Sequence, residues 1–526
     1  MSAAPSAELY HTQSTHKWLV ALAVMLGTSL EVLDNSIINV ALPHMQGSFS
    51  ASVDEIAWVL TSYLAANGIM IPMTAWISSR FGRKRYFLTS MFIFVTASAL
   101  CGMAQSLGQM VTFRLIQGAA GAAMIPSSQA ILMETFPPEE QQMGMAIWGV
   151  GLMVAPILGP TLGGWITDNW NWRWNFYINV PLGAIAFAMV SSFVHDPPFM
   201  HAQRQNKRKV DYLGIGLLVV SLGVLQIVLD RGQRADWFNS PWVIYASLLS
   251  GVTFVALFLH ELHFGEPILD LRIFEVPIFD VALFITVMFS ALLFGTLLLS
   301  PVFLQELMGY TAELAGTMLS PGALLMMVTM PVTGFLLQRL DARWLIGFGL
   351  LVLSAALYHM SAIDLEISWW NAMMLRTYQA MALSFLFVPI NALSYVGVKP
   401  EQNNQGSGLI NLMRNVGGDV GISLTGAMVT NRAQVHQALL AQSATSYNPQ
   451  MQTSLQNLAS TLMPAGLSAS DAMHQAYARI YAGLQVQAQT LAYIDTFWVL
   501  AVIALCLTPL VFLLKRVEPG KAPLGH

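Results

Sequence analysis

The feature that most restricts this chain is a series of apolar runs, each about 20 residues long or longer, separated by polar connections. A helix of that length crosses a hydrocarbon core of about 30 Å, and in lipid only helices and closed barrels satisfy their own backbone groups. The first run, Trp18 to Val40, is longer than a signal-peptide core and has no small-residue cleavage site before the next one, so it is read as a retained helix. Composition agrees. Only 10% of the 526 residues are charged, against about 25% in soluble domains, which excludes a soluble globular enzyme. A net charge of −4 offers no basic face for nucleic acid. Cys101 and Cys506 both lie inside apolar runs, which excludes a disulfide framework and a thiolate metal site.

Fourteen membrane helices are predicted, at roughly 18–41, 55–77, 86–104, 110–133, 143–166, 175–194, 211–229, 241–261, 279–302, 313–337, 343–361, 369–396, 405–430 and 491–514. With the N-terminus cytoplasmic, sixteen of the 24 Lys and Arg fall in inner segments, including Arg83-Lys84-Arg85 and Lys207-Arg208-Lys209. Five fall outside, and Arg114, Arg376 and Arg414 lie within helices. This bias sets the orientation, and an even number of spans returns the C-terminus to the cytoplasm. The loops around Glu134, Glu139 and Glu140 and around Glu261, Glu266 and Asp270 are acidic yet assigned inside, but acidic residues contribute little to topology.

The chain also repeats itself. Pro72-Met73-Thr74-Ala75 with Arg80 matches Pro331-Val332-Thr333-Gly334 with Arg339, at an offset of 331 − 72 = 259. Arg114-Leu115-Ile116-Gln117 with Pro126 matches Arg376-Thr377-Tyr378-Gln379 with Pro389, at 376 − 114 = 262. Spans one to six therefore correspond to nine to fourteen, and spans seven and eight belong to neither half. Eight spans separate corresponding elements, so the halves share an orientation, as in parallel-repeat transporters. The expected architecture is all-α, 6+2+6: a bundle over 1–200, two inserted helices over 201–275, and a second bundle over 276–526 that includes an extracytoplasmic loop at 431–490.

Several segments together carry a family resemblance. The first helix ends Leu33-Asp34-Asn35-Ser36-Ile37-Ile38-Asn39-Val40-Ala41-Leu42-Pro43, the fourth holds Arg114 with Gln117-Gly118, and the fifth reads Ala155-Pro156-Ile157-Leu158-Gly159-Pro160-Thr161-Leu162-Gly163-Gly164. Trp172 to Pro181, and Leu229-Asp230-Arg231-Gly232 with Asp236-Trp237-Phe238, are similarly placed to family segments. The chain resembles the major facilitator superfamily, specifically its fourteen-helix drug:proton antiporters of the EmrB/QacA type. The resemblance implies export of hydrophobic or amphiphilic compounds driven by the proton gradient, with no cofactor, from a bacterial inner membrane. It further implies a periplasmic adaptor, an EmrA-like membrane fusion protein, and an outer-membrane channel as partners. One segment departs from the pattern. Arg80 and Gly82, with Arg83 following, match the loop after the second helix at the first two positions only, and Ser79 stands where the superfamily has a carboxylate.

The few intramembrane charges are the candidate site. A carboxylate within a spanning helix costs about 2.5–3.5 kcal/mol on insertion scales, so Asp34 needs a partner or a purpose. It lies about 24 Å along the first helix, at a depth similar to Arg114, and an Asp34–Arg114 pair suits a reversible proton carrier. A helix cap or a tie between helices is the alternative reading. Glu31, one turn earlier, shares a face with Asp34 and is read as a second proton site, a cation-recognition carboxylate or a water-exposed residue. Asp419, in the segment Arg414-Asn415-Val416-Gly417-Gly418-Asp419, is a further candidate, with a tie to Arg376 as its alternative. Asn35, Asn39, Gln117, Arg376, Gln379 and Arg414 are expected to line the substrate cavity. Pro156, Gly159, Pro160, Gly163 and Gly164 suggest a closely packed, bending helix. The uncharged stretch 433–470 suggests a helical hairpin outside the membrane, which either meets a partner or packs on itself.

Rival functions fit less well. Export of an endogenous lipid, siderophore or metabolite uses the same fold. A membrane-embedded enzyme lacks any nucleotide-binding Gly-rich Lys segment, His-Glu-x-x-His or compact nucleophile set, and a channel would conduct without proton coupling.

Overall fold

A computed structural model describes residues 16–513, apart from 57, 138–139, 197–210, 234, 265–268, 270–272, 275–276, 311, 397, 399–401, 446 and 464–467; Asn39 and Pro160 are described in backbone only. The described residues form helices in the order α1 Lys17–Phe49, α2 Val53–Ile56, α3 Trp58–Met70, α4 Thr74–Phe81, α5 Arg83–Met103, α6 Leu107–Gly121, α7 Met124–Thr135, α8 Gln141–Asn169, α9 Trp174–Tyr177 and α10 Asn179–Phe193. Then follow α11 Tyr212–Arg231, α12 Pro241–His263, α13 Pro277–Val302, α14 Ala312–Leu337, α15 Ala342–Met360, α16 Trp369–Ser394, α17 Asn403–Ser443, α18 Pro449–Leu462 and α19 Ala469–Leu510. These make fourteen crossings in a 6+2+6 order.

Ten of these helices are apolar and long enough to cross a membrane. The other four crossings are interrupted or polar, each for a visible reason. The second splits into α3 and α4 around Pro72, and the fourth into α6 and α7 at Ala122–Ala123, where both helices were expected to be continuous. Pro126 has no N–H to give to the carbonyl four residues back, and the Thr74 hydroxyl stands 3.5 Å from that Ala122 oxygen. The tenth, α14, contains Pro321 and Pro331, and the thirteenth, α17, carries Arg414, Asn415 and Asp419. Other helix starts are capped by side chains: Ser106, Asp211, Asp341, Ser368, Asn448 and Ser468 each accept from a backbone N–H of the first turn.

Three helices outrun their expected limits. α1 continues to Phe49, where Trp172 donates to the Ser48 hydroxyl at 2.9 Å. α17 and α19 have 41 and 42 residues, about 60 Å each, so the 431–490 region is largely a continuation of two membrane helices. Between them α18 packs Leu455, Ala459 and Leu462 on Ala472 and Ala476 of α19. One face of α18 is thus covered within the chain, and the Arg432 and His436 side chains both meet Asp495, at 2.7 and 2.8 Å.

α1 packs along α8 and α10, and α3 along α6. In the second half α13 packs along α17, α14 along α16 and α15 along α19. The hairpin α11–α12 lies at the periphery, with α11 against α3 and α17, and α12 chiefly against α11. One end of the molecule carries Lys17, Arg83, Lys84, Arg339 and Arg343 and is called the basic side below. At the opposite side Trp165, Trp170 and Trp174 are exposed as an aromatic cluster, the placement such rings take at a membrane interface.

The halves touch mainly on the basic side. A Cβ at Gly334 of α14 would lie 2.8 Å from that of Ala146 on α8, and Trp148 of α8 stacks on Phe387 of α16 at 6.2 Å. Gln129 of α7 is a hub there: its amide nitrogen donates to Asn391 at 3.2 Å, and its oxygen accepts from Ser407 at 3.0 Å and Asn411 at 2.6 Å.

Candidate functional site

Asp34 is fully buried and accepts from three side chains, all of them on other helices. One carboxylate oxygen accepts from Arg114 Nη1 at 2.6 Å, and the other from Gln117 Nε2 at 2.9 Å and Asn179 Nδ2 at 2.6 Å. The helical spacing of Arg114 and Gln117 puts both on one face of α6, and Arg114 also donates to the Gln117 oxygen at 2.9 Å. The guanidinium is further fixed by the Val59 carbonyl at 3.1 Å, by the Asn35 oxygen at 3.4 Å, and by the Tyr63 ring 4.1 Å from its centre. Gly118 permits this approach, because a Cβ there would fall 2.3 Å from the Tyr63 carbonyl. Ser98 receives the second Asn179 bond at 2.9 Å and passes its own hydroxyl to the Phe176 carbonyl.

The arrangement combines a fully buried ion pair with hydrogen bonds that satisfy the remaining lone pairs. A buried pair survives only under that condition, since loss of one partner leaves a desolvated charge. The carboxylate meets solvent only if α6 and α10 shift relative to α1. The cap alternative is removed, because α1 runs fifteen residues past Asp34. Asn179 was not singled out from sequence; its signal was an amide within the otherwise apolar α10, in the segment Trp172 to Pro181.

Glu31 is buried beside this cluster. One oxygen accepts from Asn67 Nδ2 at 2.8 Å, and the other has no hydrogen-bond partner among the described residues. The water-exposed reading therefore does not hold. Asn67 in turn accepts from Asn415 Nδ2 of α17 at 3.4 Å, so the amide chain reaches into the second half.

The repeat is visible in the side chains. Arg376 hydrogen-bonds Gln379, and Gln379 donates to Thr296 at 2.5 Å. Thr296 lies at the Asp34 position of the repeat, at 296 − 34 = 262. The second half thus keeps the Arg and the Gln but replaces the carboxylate with a hydroxyl. Arg414 donates to Asn411 and Asn391, both at 2.7 Å, with its guanidinium 5.3 Å from the Phe387 ring centre, so it belongs to the contact between halves on the basic side. Neither Arg376 nor Arg414 is recorded pairing with Asp419, which instead meets Gln226 of α11. The tie between Asp419 and Arg376 is corrected accordingly.

Asn39 lies on α1 with its side chain outside the described residues. On α8, a Cβ at Gly159 would fall 2.5 Å from the Ser36 side chain, and one at Gly163 would fall 3.0 Å from the Ile37 carbonyl, so these glycines let α8 lie directly on α1 two residues from Asp34. Pro160 leaves the Pro156 carbonyl without its helical donor, and the Ser36 hydroxyl supplies one at 2.8 Å. Gly164 is half-buried on the same helix. After α4, Gly82 adopts φ 93°, a region that favours glycine. Arg80 lies 5.6 Å from the Trp76 ring centre, and Arg83 pairs with Glu134. The carboxylate missing at Ser79 is thus matched by Glu134 at the end of α7, on a different partner. Among the described residues no His, Cys, Asp and Glu cluster is arranged to hold a metal.

Residues 24–422 match the family model of the Major Facilitator Superfamily. The chain belongs to the major facilitator superfamily. Within it, the chain is 35% identical over 440 residues to Multidrug export protein EmrB of Haemophilus influenzae, covering 82% of this chain and 84% of that protein. It is 34% identical over 502 residues to Multidrug export protein EmrB of Escherichia coli K12, covering 94% and 95%. The superfamily fold is also that of the proton:xylose symporter XylE, with a TM-score of 0.64 at 11% identity over 97% of this chain and 98% of that one. This major facilitator protein is therefore EmrB-like, a multi-pass membrane protein and a secondary transporter rather than an enzyme.

Proposed function

We propose that the protein exports hydrophobic and amphiphilic compounds in exchange for protons, by alternating access, as the inner-membrane component of a tripartite pump. The observation that carries this reading is the buried Asp34–Arg114–Gln117–Asn179 cluster in a chain similar to multidrug export proteins throughout its length. A carboxylate held by three donors from two other helices binds or loses its proton as those helices separate, which ties protonation to conformation. Glu31 is a second proton acceptor of the same cluster. Asn35, Gln117, Arg376, Gln379 and Arg414 are the proposed substrate contacts, reached when the halves separate, and Arg83 with Glu134 ties α5 to α7 on the basic side. With both termini cytoplasmic, the basic side faces the cell interior, and the halves meet where an outward-facing state requires. The bundles divide at 1–200 and 276–526, with 201–275 inserted between them.

The helical extension over 431–490 is the proposed contact for a periplasmic adaptor that leads to an outer-membrane channel. Deleting 440–465 is expected to weaken adaptor crosslinking, and unchanged crosslinking would remove that role. For transport itself, purified protein in liposomes under an imposed pH gradient is expected to dissipate the gradient when amphiphilic compounds are added. If lipids, siderophores or polar metabolites stimulate proton movement and amphiphiles do not, the substrate assignment is wrong.

A further inference from the structure

On the basic side the halves share a closed circuit of hydrogen bonds, with one member from the first half and three from the second. Gln129 of α7 uses both ends of its amide there: the nitrogen donates to the Asn391 oxygen of α16 at 3.2 Å, and the oxygen accepts from the Asn411 nitrogen of α17 at 2.6 Å. Arg414 completes the circuit, its Nη1 and Nη2 donating to the oxygens of Asn411 and Asn391, both at 2.7 Å. All four side chains are buried. Two hydroxyls of the second half reach the same turn of α7. Ser407 stands 2.7 Å from the Pro126 carbonyl and 3.0 Å from the Gln129 oxygen, and the Tyr395 hydroxyl stands 3.4 Å from that oxygen.

Among the described residues no carboxylate pairs with Arg414, and its Nε has no hydrogen-bond partner. This contact is therefore held by neutral amides arranged around a lone cation. Only an amide can donate to Asn391 and accept from Asn411 at once; a carboxylate lacks the donor, and an aliphatic side chain lacks both. Asn391 and Asn411 belong to the same half as Arg414 and move with it, whereas Gln129 departs when the halves separate. Amides left dry and unpaired are costly, and amides in water are not. The circuit is thus satisfied either shut or wetted and disfavoured in between, which gives two discrete states. The same turn of α7 also leans on the first helix: Ser128 accepts from Trp148 at 3.0 Å and from Thr28 of α1 at 2.9 Å. Thr28 lies one turn before Glu31, on the face of α1 that carries it.

We propose that Gln129 is a positioning residue for transport, the latch that holds the basic side shut and whose withdrawal opens Arg414, Asn391 and Asn411 to water. It rests on the reading that the two halves alternate in access, and it names the residue that sets the balance between the two states. The Thr28–Ser128 bond seats the latch on the helix that also carries Asp34, so a shift of α1 displaces Gln129 directly.

The test uses full-length protein in lipid nanodiscs, with Cys101 and Cys506 replaced by Ser and a single reporter cysteine labelled by a hydrophilic maleimide. Ala146→Cys reports the seam, since Ala146 is buried against Gly334 of the other half, and Ala186→Cys reports the interior of the first bundle. Gln129→Leu is expected to speed labelling of Ala146→Cys about fivefold or more and to leave Ala186→Cys unchanged, because it removes every hydrogen bond that the amide makes across the seam. Ser407→Ala, which removes one hydroxyl, is expected to give a smaller rise at the same reporter alone. Unchanged labelling at Ala146→Cys would overturn the latch, and so would an equal rise at both reporters, which marks general loosening. Should Gln129→Leu not fold, the Ser407→Ala arm decides by the same two outcomes. Labelling as expected in a protein whose wild type moves no protons would overturn the antiport reading and leave the latch standing.

Discussion

Asp34 and Arg114 are both wholly shielded from solvent, so removing either leaves the other uncompensated in a low-dielectric setting. Arg114→Ala is expected to destabilise the protein by about 3–5 kcal/mol, measured as a lowered thermal denaturation midpoint of the purified protein. Arg114→Lys keeps the charge but loses the planar fork that reaches Asp34, Gln117 and Asn35 together, so it should recover part of the stability and little transport. Asn179→Ala removes one of three donors to the carboxylate, worth about 1.5–3 kcal/mol for a hydrogen bond to a charge. At this scale the sequence was legible wherever charge was scarce: Asp34 and Arg114 could be paired because so few ionised residues occur inside the apolar runs. Asn179, Ser98 and Tyr63 were not singled out, because a neutral amide, hydroxyl or phenol within a helix carries no comparable insertion penalty to mark it.

Among the elements, the contact between α1 and α8 shows why a helix rich in glycine and proline stands beside the Asp34 cluster. The Pro160 ring deletes one backbone donor, Ser36 replaces it, and Gly159 and Gly163 let the two helices lie close enough for that bond. Ser36→Ala is expected to leave the Pro156 carbonyl unsatisfied, at about 1–3 kcal/mol, read as a lowered denaturation midpoint. Gly159→Leu should insert into the membrane normally yet lose transport, whereas wild-type transport by this variant would show that the close approach is dispensable. Helix existence and order were readable from apolar runs, but helix ends were not. α17 and α19 run on past the bilayer because Gln, Ala and Ser sustain a helix without being apolar, and hydropathy cannot register that. The breaks near Pro72 and Ala122 were likewise hidden, since proline within a membrane helix allows either a kink or a stop.

For the molecule as a whole, the repeat places Thr296, Arg376 and Gln379 where the first half has Asp34, Arg114 and Gln117. One half therefore pairs its arginine with a carboxylate, and the other keeps the arginine with a hydroxyl in the carboxylate's place. The contacts that close the basic side predict a specific crosslink. With Cys101 and Cys506 replaced by Ser, an Ala146→Cys/Gly334→Cys pair should form a disulfide under mild oxidation. Transport should stop and then resume on reduction; a crosslinked protein that still transports would mean that the halves do not separate there. The inserted α11 spans the seam at the opposite side, where Asp230 accepts from Thr61 of α3 and the Leu229 carbonyl from Ser423 of α17.

The most direct test of proton-coupled export is made in proteoliposomes, comparing wild type with Asp34→Asn for accumulation of an amphiphilic substrate under an imposed pH gradient and for substrate counterflow without one. Asp34→Asn is predicted to lose gradient-driven accumulation while counterflow persists, slowed by the uncompensated Arg114 charge, because substrate exchange needs no proton carrier. Accumulation by Asp34→Asn at the wild-type rate would contradict it.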